Sequence, residues 1–153
     1  MKSLWYIWQL PQHILALCLM FYFKISGKEV KYEKGNLLLN PELALSEFEY
    51  GFYNVKDFHN GVCLGEYIFL DTSVEPYFEK IPYTPLLHEH GHRIQSRILG
   101  PLYLLLVGLP SIIRNIYARY CLNKKRKSLK DITEWYYSQY PENWADNLMN
   151  VKR

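Results

Sequence analysis

Thr84-Pro85 and Gly100-Pro101 bracket a segment of this chain that has little freedom to be anything but a helix. Thr84 suits the N-cap, and Pro85 suits the first helical position, where its missing N–H costs nothing. Gly100 and Pro101 stop the run after about Leu99. The stretch HEHGH, residues 88–92, therefore falls in the second turn of a helix. Successive helical residues are turned by about 100°, so His88 and His92 return to within about 40° of each other and can offer nitrogens to one ion. Glu89 is close enough in angle to reach a water on that ion. This is the H-E-x-x-H arrangement of zinc hydrolases, with two ligands and a general base. His90 points about 200° away from His88 and cannot join them. Gly91 costs roughly 1 kcal/mol against alanine inside a helix, which implies a place of close packing. The competing reading is a solvated, histidine-rich helix end.

Two imidazoles do not hold a catalytic zinc; a third protein ligand is needed, with the fourth position left to water. No histidine follows His92, and Ile98 stands where an extended motif would carry one. The downstream carboxylates are Asp131, Glu134, Glu142 and Asp146. Glu142 and Asp146 share the segment ENWAD on a last helix, Glu142–Met149, which Pro141 can open. Their spacing of four puts both on one face. One can bind metal while the other accepts a hydrogen bond from the far nitrogen of a ligand histidine.

H-E-x-x-H followed by E-x-x-A-D resembles the gluzincin metallopeptidases, above all the membrane-bound group of prenyl-protein (CAAX) proteases and their bacterial heat-shock relatives. The match is close only over His88–His92 and Glu142–Asp146. His88–Ser111, with GPLYL and GLPS, is also similar to small bacterial membrane-associated proteins. The gluzincin resemblance implies a zincin-like fold holding Zn2+ on His88, His92 and Glu142, with Asp146 behind a ligand histidine. It implies Glu89 as general base in the hydrolysis of a peptide or protein substrate at a bacterial inner membrane. The basic residues that follow each apolar segment put the site on the cytoplasmic side. The chain departs from that group in being much shorter. The His, Tyr or Arg that stabilises the transition state is also not identifiable. Tyr136, Tyr137 and Tyr140 lie near in sequence, but they are three of fourteen tyrosines.

The 153 residues suffice for one domain, and 49% apolar with 16% aromatic content excludes a disordered chain. The net charge of +3 is concentrated at Lys124–Lys127, KKRK, which reads as a membrane flank in preference to a nucleic-acid contact. Three scattered cysteines, Cys18, Cys63 and Cys121, read as buried free thiols. Residues 1–23 are apolar and rich in Trp and Tyr, interrupted by Gln9, Pro11, Gln12 and His13. A membrane span, an interfacial helix and a core helix all remain open for them. No small-residue cleavage site follows, so the segment does not read as a removed signal peptide. Residues 24–153 form the single expected catalytic domain, with an apolar hairpin at 98–122.

That hairpin is constrained by the ligands. One straight crossing would put His88 and Glu142 on opposite sides, some 30 Å apart. The segment must therefore bend back near Gly108-Leu109-Pro110, lie in a fold at the interface, or carry the site into the membrane. Lys24, Lys28, Lys31 and KKRK agree with an even number of crossings. The expected fold class is α+β, with apolar N-terminal and central helices and a short antiparallel sheet. A strand is expected around Val30 and Tyr32. Gly61–Asp71 is read as one strand, at the edge or in the core. Asn40–Phe58 is read as loop with at most one helical turn, and Pro76, Pro82 and Pro85 as irregular chain. A helix is expected from Ser128 to about Gln139. Two other functions compete with the peptidase: a zinc-binding membrane protein without turnover, and a membrane-surface or nucleic-acid module in which HEHGH is incidental.

Overall fold

The segment Tyr67–Leu70 has apolar side chains on both of its faces, and that decides the architecture. Ile68 and Leu70 pack with Phe52, Cys63 and Leu86, while Phe69 packs with Ala16, Phe23 and Val55, against which Tyr67 also rests. A strand buried on both sides carries a continuous apolar run, and its sheet must have a layer on each face. Here those layers are two helices.

The computed structural model describes residues 2–38, 47–72 and 84–151. Helices α1 (Lys2–Trp8) and α2 (Leu10–Ile25) come first, followed by strands β1 (Val30–Leu38), β2 (Glu47–Val55), β3 (Gly61–Leu64) and β4 (Tyr67–Leu70). Helix α3 (Thr84–Leu99) follows, then a 3₁₀ turn (Gly100–Leu102) and a π-helical stretch (Leu104–Gly108). Helices α4 (Leu109–Asn123), α5 (Leu129–Ser138) and α6 (Glu142–Leu148) complete the order. The fold is α+β, as expected. Helix α2 covers one face of the sheet and α3 the other.

The strand order is β1-β2-β4-β3. β1–β2 and β3–β4 pair antiparallel, but β2 and β4 pair in parallel through Tyr53↔Phe69 and Asn54↔Leu70, so the expected antiparallel sheet is in fact mixed. Two sequence readings are corrected here. The stretch read as loop contains β2, because Tyr53 and Val55 face the α2 layer and Tyr32 of β1 covers Gly51. Gly61–Asp71 is a hairpin instead of one strand. Gly65 stands first in its two-residue turn with φ +65°, as a II′ hairpin turn demands. Among the described residues β3 is an edge strand and β4 is internal. The irregular chain expected between Pro76 and Pro82 lies outside the described residues.

The N-terminal segment is broken at Gln9 into α1 and α2, and it is turned inside out. Its polar residues Gln9, Gln12 and His13 are buried, whereas Leu10, Ile14, Leu17, Phe21 and Ile25 are exposed. Gln9 and Gln12 clasp the C-terminal end of α3: Ser96 donates to Gln9 Oε1 at 2.7 Å, and the Gln12 amide donates to the Gly100 carbonyl. Gln9 also donates to Glu66 at the hairpin turn, 3.1 Å away, and Arg93 and Arg97 of α3 close on the same carboxylate. The polar interruptions that weaken a membrane span are therefore the groups that bind the helix to the protein. Among the described residues no single helix is long and apolar enough to cross a membrane. Of the cysteines, Cys63 and Cys121 are buried and free, but Cys18 is exposed, contrary to expectation.

The apolar hairpin turns elsewhere than expected. Pro85–Leu102 and Leu104–Asn123 meet at a bend of 119°, set by Gly100 at φ +52° and the 3₁₀ turn. Gly108-Leu109-Pro110, the expected corner, runs on in helical conformation at the start of α4. A proline there strips the carbonyl four residues earlier of its helical partner. That carbonyl belongs to Leu106, and the Tyr140 hydroxyl donates to it at 2.8 Å. The same bond fixes the α5–α6 corner against the π-helical stretch. Helix α5 begins as expected, with Ser128 capping the N–H of Asp131 at 3.1 Å.

Candidate metal centre

Helix α6 brings Glu142 back to His88 and His92 because Gly91 allows it. A Cβ on Gly91 would collide with the backbone of Ala145, so α3 and α6 touch main chain to main chain. The carboxylate Oε2 of Glu142 lies 3.0 Å from His88 Nε2 and 3.1 Å from His92 Nε2, and the two nitrogens are 3.1 Å apart. All three residues are buried. The sequence spacing placed these donors on their helices; the fold makes them converge.

The far nitrogens show what the near ones are for. His88 Nδ1 lies 2.7 Å from Asp146 Oδ1. His92 Nδ1 lies 2.8 Å from Gln95 Oε1. The Gln95 amide is oriented by its own donation to the Pro141 carbonyl at 3.1 Å, so its oxygen must face the imidazole and His92 Nδ1 must be the donor. Both rings thus present Nε2 inward with Nδ1 held outward, which is how proteins orient imidazole ligands. Donors about 2.0–2.1 Å from a tetrahedral ion stand roughly 3.3 Å apart, so this triangle needs to open by only about 0.3 Å. His88, His92 and Glu142 can hold a metal ion.

Charge is balanced tightly in this pocket. Burial alone would lower the His88 pKa, but its hydrogen bonds to Asp146 and Glu142 outweigh that and raise it to about 9. Burial would raise the Glu142 carboxyl, and the two histidines instead hold it well below the usual carboxylate range. Glu89 is also buried, and its carboxylate sits against Gly61 of β3, where a Cβ would strike it. His90 is buried on another side of α3, lowered to about 3 by burial and then by Arg93 and Arg97. It takes no part in the triad.

A cavity of about 430 Å³ opens onto these groups. His88, Glu89, His92 and Glu142 form its floor and the edge strand β3 forms one wall. Leu64 pairs with Tyr67 across the two-residue turn, so the strand alternation directs the main-chain groups of Gly61 and Cys63 away from β4. Tyr103 donates to the Cys63 carbonyl from that side at 3.2 Å. Sequence reasoning missed Gln95, Tyr103 and Ser111, and did not single out Tyr136 from the tyrosines near it. Gln95 stood three places after His92 on the same helix and was legible in principle. The two tyrosines were hidden among twelve others, and Ser111 had no motif. Comparison with protein-family models, curated proteins and solved structures finds no match to this chain.

Proposed function

We propose that this chain is a membrane-associated zinc endopeptidase. The observation that carries the reading is the convergence of His88 Nε2, His92 Nε2 and Glu142 Oε2 within a cavity that also holds Glu89. Two imidazoles and a carboxylate disfavour magnesium and calcium, which prefer all-oxygen sites, and suit zinc. Three protein ligands leave a position for water, whereas structural zinc sites are closed by four. Zinc bound there would supply Lewis-acid activation of a water and of a peptide carbonyl.

The remaining chemistry belongs to the chain. Glu89 takes a proton from the water whose oxygen adds to the carbonyl carbon, and passes it to the nitrogen as the C–N bond breaks. An extended peptide can lie along β3 and pair with the outward main-chain groups of Gly61 and with the Cys63 N–H. With His88 Nδ1 turned to Asp146 and His92 Nδ1 donating to Gln95, Nε2 is the nitrogen that each ring would offer to the ion. The test is metal analysis beside cleavage of an unfolded protein substrate. Native protein should hold one zinc and cleave; Glu142→Ala should lose the zinc. Glu89→Gln should keep it while cleavage drops about 10²- to 10⁴-fold. Stoichiometric zinc with no cleavage of unfolded or membrane substrates would sink the catalytic reading.

The membrane part of the proposal rests on the inverted N-terminal helix. Ile7 and Phe21 are 71% and 65% exposed while Gln9 and Gln12 are fully buried. Leu105, Ile112 and Ile116 add a second exposed apolar strip along the π stretch and α4. Beyond it, Arg126 lies 5.0 Å from the Tyr120 ring and Lys127 5.8 Å from Trp135, the pairing of bases and amphipathic rings suited to an anionic lipid interface. Sedimentation with vesicles of anionic phospholipid should carry the protein down, with less carried by neutral vesicles. Salt-dependent binding to nucleic acid with none to vesicles would reverse this assignment.

A further inference from the structure

The two oxygens of the Glu142 carboxylate have different partners, and the second is held by residues outside the metal triad. Oε2 faces the histidines. Oε1 accepts a hydrogen bond from the Tyr136 hydroxyl at 2.9 Å, and that hydroxyl lies 3.1 Å from Ser111 Oγ. The phenol has one proton and gives it to the carboxylate, so Ser111 must be the donor to the phenol oxygen. The relay runs Ser111 to Tyr136 to Glu142, from α4 through α5 to α6, and all three residues line the cavity. Its neighbours do other work. Tyr137 sets its ring edge-on to His88, 5.2 Å between centroids, and Tyr140 is bonded to Leu106.

A carboxylate can grip a cation through one oxygen or through both. We propose that Tyr136, backed by Ser111, is a positioning residue that keeps Glu142 a one-oxygen ligand and so preserves an open coordination place for water. This rests on the metal-centre reading above. With Oε1 pinned toward α5, only Oε2 is presented between the histidine nitrogens. Without the phenol, the carboxylate would be free to turn Oε1 toward a bound ion and take the place left for water.

Cobalt(II) tests this without any substrate, because its visible absorption reports coordination number. Native protein loaded with one equivalent of Co2+ is expected to show the intense bands of a four-coordinate ion. Tyr136→Phe is expected to show the weaker bands of a five-coordinate one, and to hold Co2+ about 10- to 100-fold less tightly. Ser111→Ala should move both readings in the same direction by less. A tyrosine that merely supports the fold would lower the melting temperature and leave the cobalt bands alone. Tyr136→Phe with native stoichiometry and a native spectrum overturns the proposal. If circular dichroism shows that this variant is unfolded, Ser111→Ala decides, and an unchanged spectrum overturns it equally. Native protein that takes up no cobalt defeats the metal centre itself, whereas the unchanged spectrum defeats only the clamp.

Discussion

Gly91 and Ala145 meet with no room for a methyl group between them, and the metal centre is assembled around that contact. His92 follows the glycine directly and Asp146 follows the alanine directly, so the contact sets the distance between the two ligand-bearing helices. Gly91→Ala would gain about 1 kcal/mol of helix propensity but overpack a rigid backbone, at a cost of about 1–3 kcal/mol. The expected result is a folded protein whose metal affinity has dropped at least about tenfold, close to a lost partner of a metal ligand. Titration against a competing chelator measures it. Native affinity in this variant would show that the helices have slack.

Asp146 lies 2.7 Å from His88 Nδ1, so its charge would act on a bound metal through that imidazole. Asp146→Asn keeps the shape and still offers an oxygen, but weakens the hold on His88 Nδ1–H. Metal affinity should fall about 10- to 100-fold, while Asp131→Asn, at the exposed start of α5, should leave it unchanged. Equal affinities in the two variants would remove Asp146 from the centre.

Glu66 supplies the pH dependence. Burial would raise its pKa, but hydrogen bonds from Arg97, Gln9 and Arg93, with the charge of Arg93, lower it to about 2. A carboxylate depressed in the fold contributes stability that is complete above its unfolded value, near pH 4.5, and lost as the pH falls through about 2. Urea unfolding across that window should show native protein weakening steeply and Glu66→Gln weakening less. At pH 7 the variant should already be less stable by on the order of 2 kcal/mol, less than for a fully buried pair because Arg97 is partly exposed. Parallel pH profiles for the two proteins would contradict this.

A substitution at Gly61 distinguishes the proposed turnover from metal binding. Its Cα faces the Glu89 carboxylate, and a methyl group there would displace that carboxylate and cover the strand edge. Gly61→Ala is expected to retain one metal ion per chain and lose most cleavage. Loss of the metal together with activity would mean that β3 supports the triad itself.

Local periodicity made much of the site legible. His88, Glu89 and His92 share a helix, and Glu142 and Asp146 share another, so each half followed from the helical repeat alone. Their meeting did not, because it depends on Gly91 lying against Ala145 across more than fifty residues. The β2 strand was hidden because its stretch mixes proline, glutamates and aromatics without a clear period, and its pairing with β1 is a long-range contact. The corner of the apolar hairpin was misplaced because Pro110 looks disruptive. The chain supplies the Tyr140 hydroxyl to the carbonyl that this proline abandons, and no local pattern announces that bond.

The hydroxyl of Tyr103 places a full stop on the edge strand. With the Cys63 carbonyl already engaged, a chain lying beside β3 is left with the Gly61 pair of groups and the Cys63 N–H. Three hydrogen bonds at about 0.5–1.5 kcal/mol each amount to roughly millimolar holding at best. Main-chain pairing can therefore set direction and register but not affinity. Under the proposed peptidase activity, a substrate that stays long enough to be cut would have to be held elsewhere along its length, so selection would fall to features distant from the severed bond.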